Sequence, residues 1–211
     1  MTLIPLGWYP EIVYRSFEEK KYVDQFIEEG CFRMGEIGIY TRIEDAIRHD
    51  ATEGEAHIKT IDPVVSVHFP TDGSEPFETT SVGEKSSYAS FGSNLIYILC
   101  CSLKKPNGKH GSYSIEINDP KALAKDISAY LETLSWKVFG GVEGVHIEYT
   151  KGAIRDKVPK GFDLVRLSYA QKPEESSDDE EFRFVTTQVN NKNREYIEIN
   201  LGKRLGYVEC I

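Results

Sequence analysis

The 211-residue sequence predicts an α+β protein folded as a single domain around a mixed, mostly antiparallel sheet with two main helices. Three observations lead there. Most strand-forming stretches alternate apolar and polar residues with a period of two, the pattern of strands with one face on a core. Two stretches instead repeat apolar residues at spacings near three and four, as amphipathic helices do. A chain of this length buries one sizeable core but is short for two.

The elements follow in order. Glu11 to Arg15 is a short β-rich run and predicts the first strand. Ser16-Phe-Glu-Glu19 has capping-box spacing and predicts a helix running to about Glu29, with Gly30 as its stop. Phe17, Val23, Phe26 and Ile27 would face inward on it, while Glu18, Lys20, Lys21 and Glu28 stay in water. Two β-rich segments between about Ile58 and Phe69 surround a turn at Asp62-Pro63. Leu95 to Cys101 is a continuous apolar run, expected at the middle of the sheet.

Tyr113 to Ile117 alternates as a strand, and Asn118-Asp119-Pro120 then supplies a cap followed by proline in the first turn. The helix it opens should reach about Trp136 and bury Leu123, Ile127, Tyr130, Leu131 and Leu134. Val142 to Tyr149, Leu164 to Ala170, Glu181 to Thr187, Tyr196 to Asn200 and Gly206 to Cys210 are further strands. Lys172 to Glu180, rich in acids and serine, is expected to be a loop.

Composition narrows the function. Hydrophobic residues at 40%, aromatics at 11% and charged residues at 28% are those of a globular protein rather than a disordered or fibrous one. A net charge of −9 disfavours sequence-independent nucleic-acid binding through a broad basic face, though not through a local groove. No apolar run approaches a bilayer span and the N-terminus lacks the basic flank of a signal peptide, so the expected location is the cytoplasm, away from membranes. Cys31, Cys100, Cys101 and Cys210 lack zinc spacing and are expected as buried, reduced thiols.

Several enzyme signatures are missing. No G-x-G-x-x-G follows a strand, no G-x-S-x-G elbow occurs, and Gly83-Glu-Lys-Ser86 lacks the adjacent Gly-Lys of a phosphate loop. His49, His57, His68, His110 and His146 form no i, i+4 pair, so no sequence-local metal site is expected.

Three places remain. The run from Tyr40 to Gly54 sets Arg42, Glu44, Asp45, Arg48, His49, Asp50 and Glu53 around two aliphatic residues, Ile43 and Ile47. It is either a salt-bridged short helix, with Glu44 and Arg48 paired at i, i+4, or a site where carboxylates brace Arg48 toward an anionic ligand. In Asp178-Asp-Glu-Glu-Phe-Arg-Phe-Val185, strand alternation puts Glu181, Arg183 and Val185 on one face and Phe182 and Phe184 on the other. Glu181 is then either a gatekeeping charge at a strand edge or a carboxylate that accepts a sugar hydroxyl and stabilises an oxocarbenium-like transition state. The third place is Tyr14-Arg15, an aromatic-basic pair at the end of the first predicted strand.

With the strand ending Cys100-Cys101-Ser102, these places resemble the ADP-ribosyltransferase-like superfamily, and within it the DarT-like phage-defence and abortive-infection toxins. The resemblance implies a split sheet of that superfamily's kind and NAD as the substrate. It implies a macromolecular acceptor, RNA, DNA or protein with nucleic acid slightly favoured, and an antitoxin as a protein partner. Carried across, Glu181 and Arg48 take the catalytic positions, while Tyr14, Arg15, Tyr40 and Ser102 line the NAD site. The sequence departs from the pattern in lacking an S-T-S triplet and in having Tyr-Arg where a plain His is common. Two other functions stay open: a non-catalytic binding module, and a metal-dependent nuclease using Asp45, Asp50, Glu53 and Glu148.

Overall fold

The computed structural model describes residues 8–39, 55–58, 64–68, 77–81, 87–90, 96–108, 110–134, 138–150, 169–188 and 195–211. Its strands, in chain order, are β1 (Val13–Phe17), β2 (Cys31–Glu36), β3 (Glu55–Ile58), β4 (Val64–His68), β5 (Phe77–Ser81), β6 (Ser87–Ser90) and β7 (Ile96–Ser102). The second half adds β8 (Tyr113–Ile117), β9 (Val138–His146), β10 (Glu148–Thr150), β11 (Gln171–Pro173), β12 (Glu181–Gln188), β13 (Tyr196–Asn200) and β14 (Val208–Cys210). Helix α1 (Lys20–Asp24) runs on through a wider turn at Gln25–Glu29, and α2 is Pro120–Thr133.

Eight strands form one sheet in the order β13-β2-β7-β1-β8-β14, with β12 on β7 and β9 on β12, every pairing antiparallel. The chain is therefore α+β with a mostly antiparallel sheet and two helices. The apolar run at residues 96–101 occupies the sheet centre: Ile96, Ile98, Leu99 and Tyr97 are each at most 2% exposed. β12 pairs along one whole edge of β7, from Thr187↔Ile96 to Glu181↔Ser102. The other edge is shared, β2 pairing near Tyr97 and Ile98 and β1 at Ser102. The sheet thus forks along β7. Two further antiparallel pairs, β3 with β6 and β4 with β5, stand as separate two-stranded units, and β10 pairs with β11 in parallel.

One face of the sheet carries the larger core, in which Val13, Leu99, Ile115, Ile117, Phe182 and Phe184 meet Leu123, Ile127 and Leu131 of α2 and Val23, Phe26 and Ile27 of the first helix. Burying each such aliphatic side chain contributes roughly 1.5–3 kcal/mol before entropy costs. The opposite face carries a smaller cluster of Ile37, Ile96, Ile98, Val145, Tyr169 and Val185.

Helix α2 is capped as expected: the Asp119 carboxylate accepts the Ala122 N–H at 2.9 Å, with Pro120 in the first turn. Tyr130 and Leu134 lie only partly buried against the core, and the helix ends at Thr133 rather than Trp136. The expected capping box at the first helix does not form. Ser16 and Phe17 belong to β1, the Ser16 hydroxyl pairs with that of Ser114 across β8 at 3.1 Å, and Glu19 at the helix start makes no side-chain cap. Five ladder positions on β8 outweigh one cap here. Gly30 does stop this helix, at φ 64°, where a Cβ would meet the Leu201 side chain at 2.8 Å.

The stretch expected as a loop at 172–180 is more ordered than its composition suggests. Lys172 lies in β11, and Glu174–Asp179 forms a tight helical turn. The strand expected over Val142 to Tyr149 is two strands, β9 and β10. Of the predicted segment at 164–170 only Tyr169 and Ala170 fall among the described residues, and the Asp62-Pro63 turn lies outside them. All four cysteines are free thiols, but only Cys101 is buried.

Candidate functional site

The register of the sheet places three predicted residues in line. Tyr14 of β1 is the partner of Ser102 of β7, and Ser102 is the partner of Glu181 of β12. Residues directly opposite in antiparallel pairs point to the same face, so Tyr14, Ser102 and Glu181 form one row. Two strand spacings separate its ends by about 10 Å. The same row continues from Tyr14 to Glu116 on β8 and Glu209 on β14.

Glu181 is aimed by its neighbours. Glu180 adopts φ 40°, the one positive-φ residue other than glycine among those described. Its N–H donates to Ser177 O at 3.3 Å, and its carbonyl accepts the Leu103 N–H at 2.8 Å. Its side chain pairs with Lys104 at 2.9 Å. This bend turns the chain so that the next side chain enters the sheet face. Phe182, fully buried on the opposite face against Phe184 at a ring distance of 5.1 Å, fixes the strand's rotation.

The sequence suggested a charge at a strand edge, or one open to a sugar. The observed Glu181 is 6% exposed and clamped. Arg183 Nε donates to Oε1 at 2.5 Å, Lys172 Nζ lies 2.9 Å from Oε2, and the Glu181 N–H donates to the Tyr149 hydroxyl at 2.8 Å. Arg183 is wholly buried and donates from Nη1 to the Tyr169 carbonyl at 3.1 Å. Burial alone would push the Glu181 carboxyl up, but the charges of Arg183 and then Lys172, with their hydrogen bonds, hold it down at about 2. It is therefore a carboxylate at any physiological pH. A carboxylate has about four acceptor positions, so two cations leave capacity for a further donor.

Arg15 is a correction. It neighbours Tyr14 in the strand and so faces the other way, beside Ile115, with Nη1 bonded to the Cys100 carbonyl and the guanidinium 5.5 Å from the Phe17 ring centre. It cannot share a cleft with Glu181 on the opposite face. Its charge instead lies near Cys101, whose thiol burial pushes up to about 12 against that charge. Cys101 is thus an inert core thiol. Arg48 and Tyr40, with Asp45, Asp50, Glu53 and Gly54, lie outside the described residues.

Sequence reading missed Lys172, Tyr149 and the fork at β7. Lys172 was hidden in an acidic stretch, and Tyr149 sits on a three-residue strand whose parallel partner lies 23 positions further on, Glu148↔Gln171 by register, beyond any local periodicity. Ser102 accepts the Lys104 N–H at 3.0 Å through its hydroxyl. Among the described residues no three His, Cys, Asp or Glu side chains come together as a metal site, and no helix is long and apolar enough to cross a membrane. No family model, curated protein or solved structure matches the chain.

Proposed function

We propose that the protein is an NAD-dependent ADP-ribosyltransferase acting on a macromolecule, of the kind found among DarT-like toxins and phage-defence effectors. The observation that carries this reading is the alignment of Tyr14, Ser102 and Glu181 on one face of three adjacent strands. Ser102 and Glu181 hold the middle-strand and late-strand positions that the resemblance assigns to an NAD site; it gives the first-strand position to Arg15, and Tyr14 enters as the aromatic that can stack on nicotinamide. The fork at β7 supports it as well, since it opens the sheet beside the Tyr14 end of that row.

The roles follow from chemistry. The Tyr14 ring offers a stacking surface for nicotinamide, and the Ser102 hydroxyl a polar contact beside it. The Glu181 carboxylate accepts a hydrogen bond from the nicotinamide ribose. It stabilises the positive charge that builds on that ribose as the bond to nicotinamide lengthens and the electron pair leaves with the ring. A nucleophile on the acceptor then bonds to the ribose carbon and gives up its proton to solvent water, while nicotinamide departs. Arg15 has no part in this arrangement, and Arg48 keeps the role the resemblance implies. The acceptor is RNA, DNA or protein, with a protein antitoxin restraining the activity.

The test is incubation with NAD labelled in the adenylate half, together with cell lysate, followed by separate nuclease and protease digestion. The proposal expects label on a macromolecule with the wild type and none with Tyr14→Ala or Glu181→Gln of intact fold. Absence of label and of NAD consumption by the wild type contradicts it.

A further inference from the structure

We infer that the β10–β11 ribbon is the positioning element of Glu181 and that Lys172 is its positioning residue, setting the carboxylate's direction for the transfer reaction. The inference deepens the proposed function and rests on it.

The geometry that carries it is a double grip. Tyr149 on β10 and Lys172 on β11 are register partners in the parallel pair. Both reach the same residue of a different sheet: the Tyr149 hydroxyl accepts the Glu181 N–H at 2.8 Å, and the Lys172 ammonium lies 2.9 Å from Oε2. One contact fixes the main chain at the strand entrance and the other fixes the carboxylate plane. A further bond ties the ribbon to the strand, since the Ile147 N–H, just before β10, donates to the Glu181 carbonyl at 3.1 Å.

Arg183 and Lys172 divide the work. Arg183 holds Oε1 from within the same strand and is itself locked to the Tyr169 carbonyl, so it supplies a fixed buried counter-charge. Lys172 approaches from a separate element, with 14% of its side chain exposed, and settles which way Oε2 points. A lysine is a compact charge on a flexible stem, suited to following a carboxylate that a ligand must also reach. Among the described residues, the titratable groups around the carboxylate include Arg183 on its own strand, Lys172 on β11, Tyr149 on β10 and Tyr14 two strands away in its row, with the Cys101 thiol behind on the other face. Removing the Lys172 charge leaves Glu181 with Arg183, so the carboxylate is not abandoned in the interior.

The experiment measures NAD consumption by Lys172→Met, Lys172→Arg and Tyr149→Phe against pH, with NAD affinity measured separately. For Lys172→Met the expected result is a fall in kcat on the order of 100-fold, the loss typical of a misplaced catalytic group, with NAD affinity nearly unchanged. Its activity should also be lost at a higher pH on acidification than that of the wild type, because one of the two cations that hold the carboxyl down is gone. Lys172→Arg should restore most of kcat, and Tyr149→Phe should lower kcat without moving the pH profile. Wild-type kcat and pH profile in Lys172→Met overturn the inference alone. A wild type that neither binds nor consumes NAD overturns the reading beneath it, and the inference with it.

Discussion

Arg183 Nε lies 2.5 Å from Glu181 Oε1, two residues along the same strand, and both side chains are buried on one face of the sheet. Such a pair is costly to bury and costlier to break. Removing one partner from a buried ion pair typically destabilises by about 3–5 kcal/mol, whereas replacing both costs far less. Arg183→Met should therefore destabilise by roughly that amount, and Glu181→Gln by a comparable one, each leaving a charge without its main partner. The double variant should be more stable than the sum of the two effects allows. Urea denaturation of all four proteins checks the cycle, and strict additivity would mean that the two charges do not depend on each other.

The same pair makes stability depend on pH. The Glu181 carboxyl is lowered in the fold from 4.5 to about 2, so the unfolded chain binds more protons between those values. Its stabilising contribution is complete above 4.5 and disappears as pH falls toward 2. His146, whose imidazole burial lowers below 6.5 against the opposing charges of Glu180 and Glu148, works in the same direction at higher pH. Stability should thus fall on acidification in two stages, the first beginning near 6.5. Denaturation midpoints against pH test this, with His146→Gln expected to remove only the first stage.

Gly144 of β9 lies against the aromatic layer behind Glu181. A Cβ there would meet Tyr9 Cε1 at 2.7 Å, Phe182 Cζ at 2.8 Å and the Trp8 carbonyl oxygen at 2.8 Å. Backbone and two rings cannot all give way, so Gly144→Ala should cost about 1–3 kcal/mol by overpacking. Because Phe182 sets the rotation of the strand entrance, the proposed NAD turnover should fall too. A thermal melt and an activity assay on that variant measure both.

Asp119 provides the contrast. Its carboxylate caps α2 through the Ala122 N–H on the core side of the sheet. Asp119→Ala should lose about 1 kcal/mol and leave the proposed NAD turnover per folded molecule unchanged. Loss of activity beyond the loss of folded protein would show that α2 takes part in the site.

The Asp119 cap, the Gly30 stop and the apolar run at 96–101 were legible because each is local: a short pattern carries its own physics. Glu181 with Arg183 on one face and Phe182 with Phe184 on the other followed from strand alternation alone. The Ser16 cap failed because a local preference met a five-residue ladder with β8. The clamp on Glu181 was illegible because its parts come from β10, β11 and β12, whose meeting is a fact of tertiary pairing. Arg15 was misread for a different reason. Pairing it with Tyr14 as a motif ignored that neighbours on a strand face opposite ways.

The most direct measurement is release of nicotinamide from NAD by purified wild type, Glu181→Gln and Ser102→Ala, each verified as folded. Wild type should release nicotinamide, Glu181→Gln should lose at least about 100-fold, a size seen when one stabilising group of a transition state is removed, and Ser102→Ala should lose less. Equal release by folded Glu181→Gln and wild type would contradict the proposed function, and would leave Glu181 as the counter-ion of Arg183 and Lys172 alone.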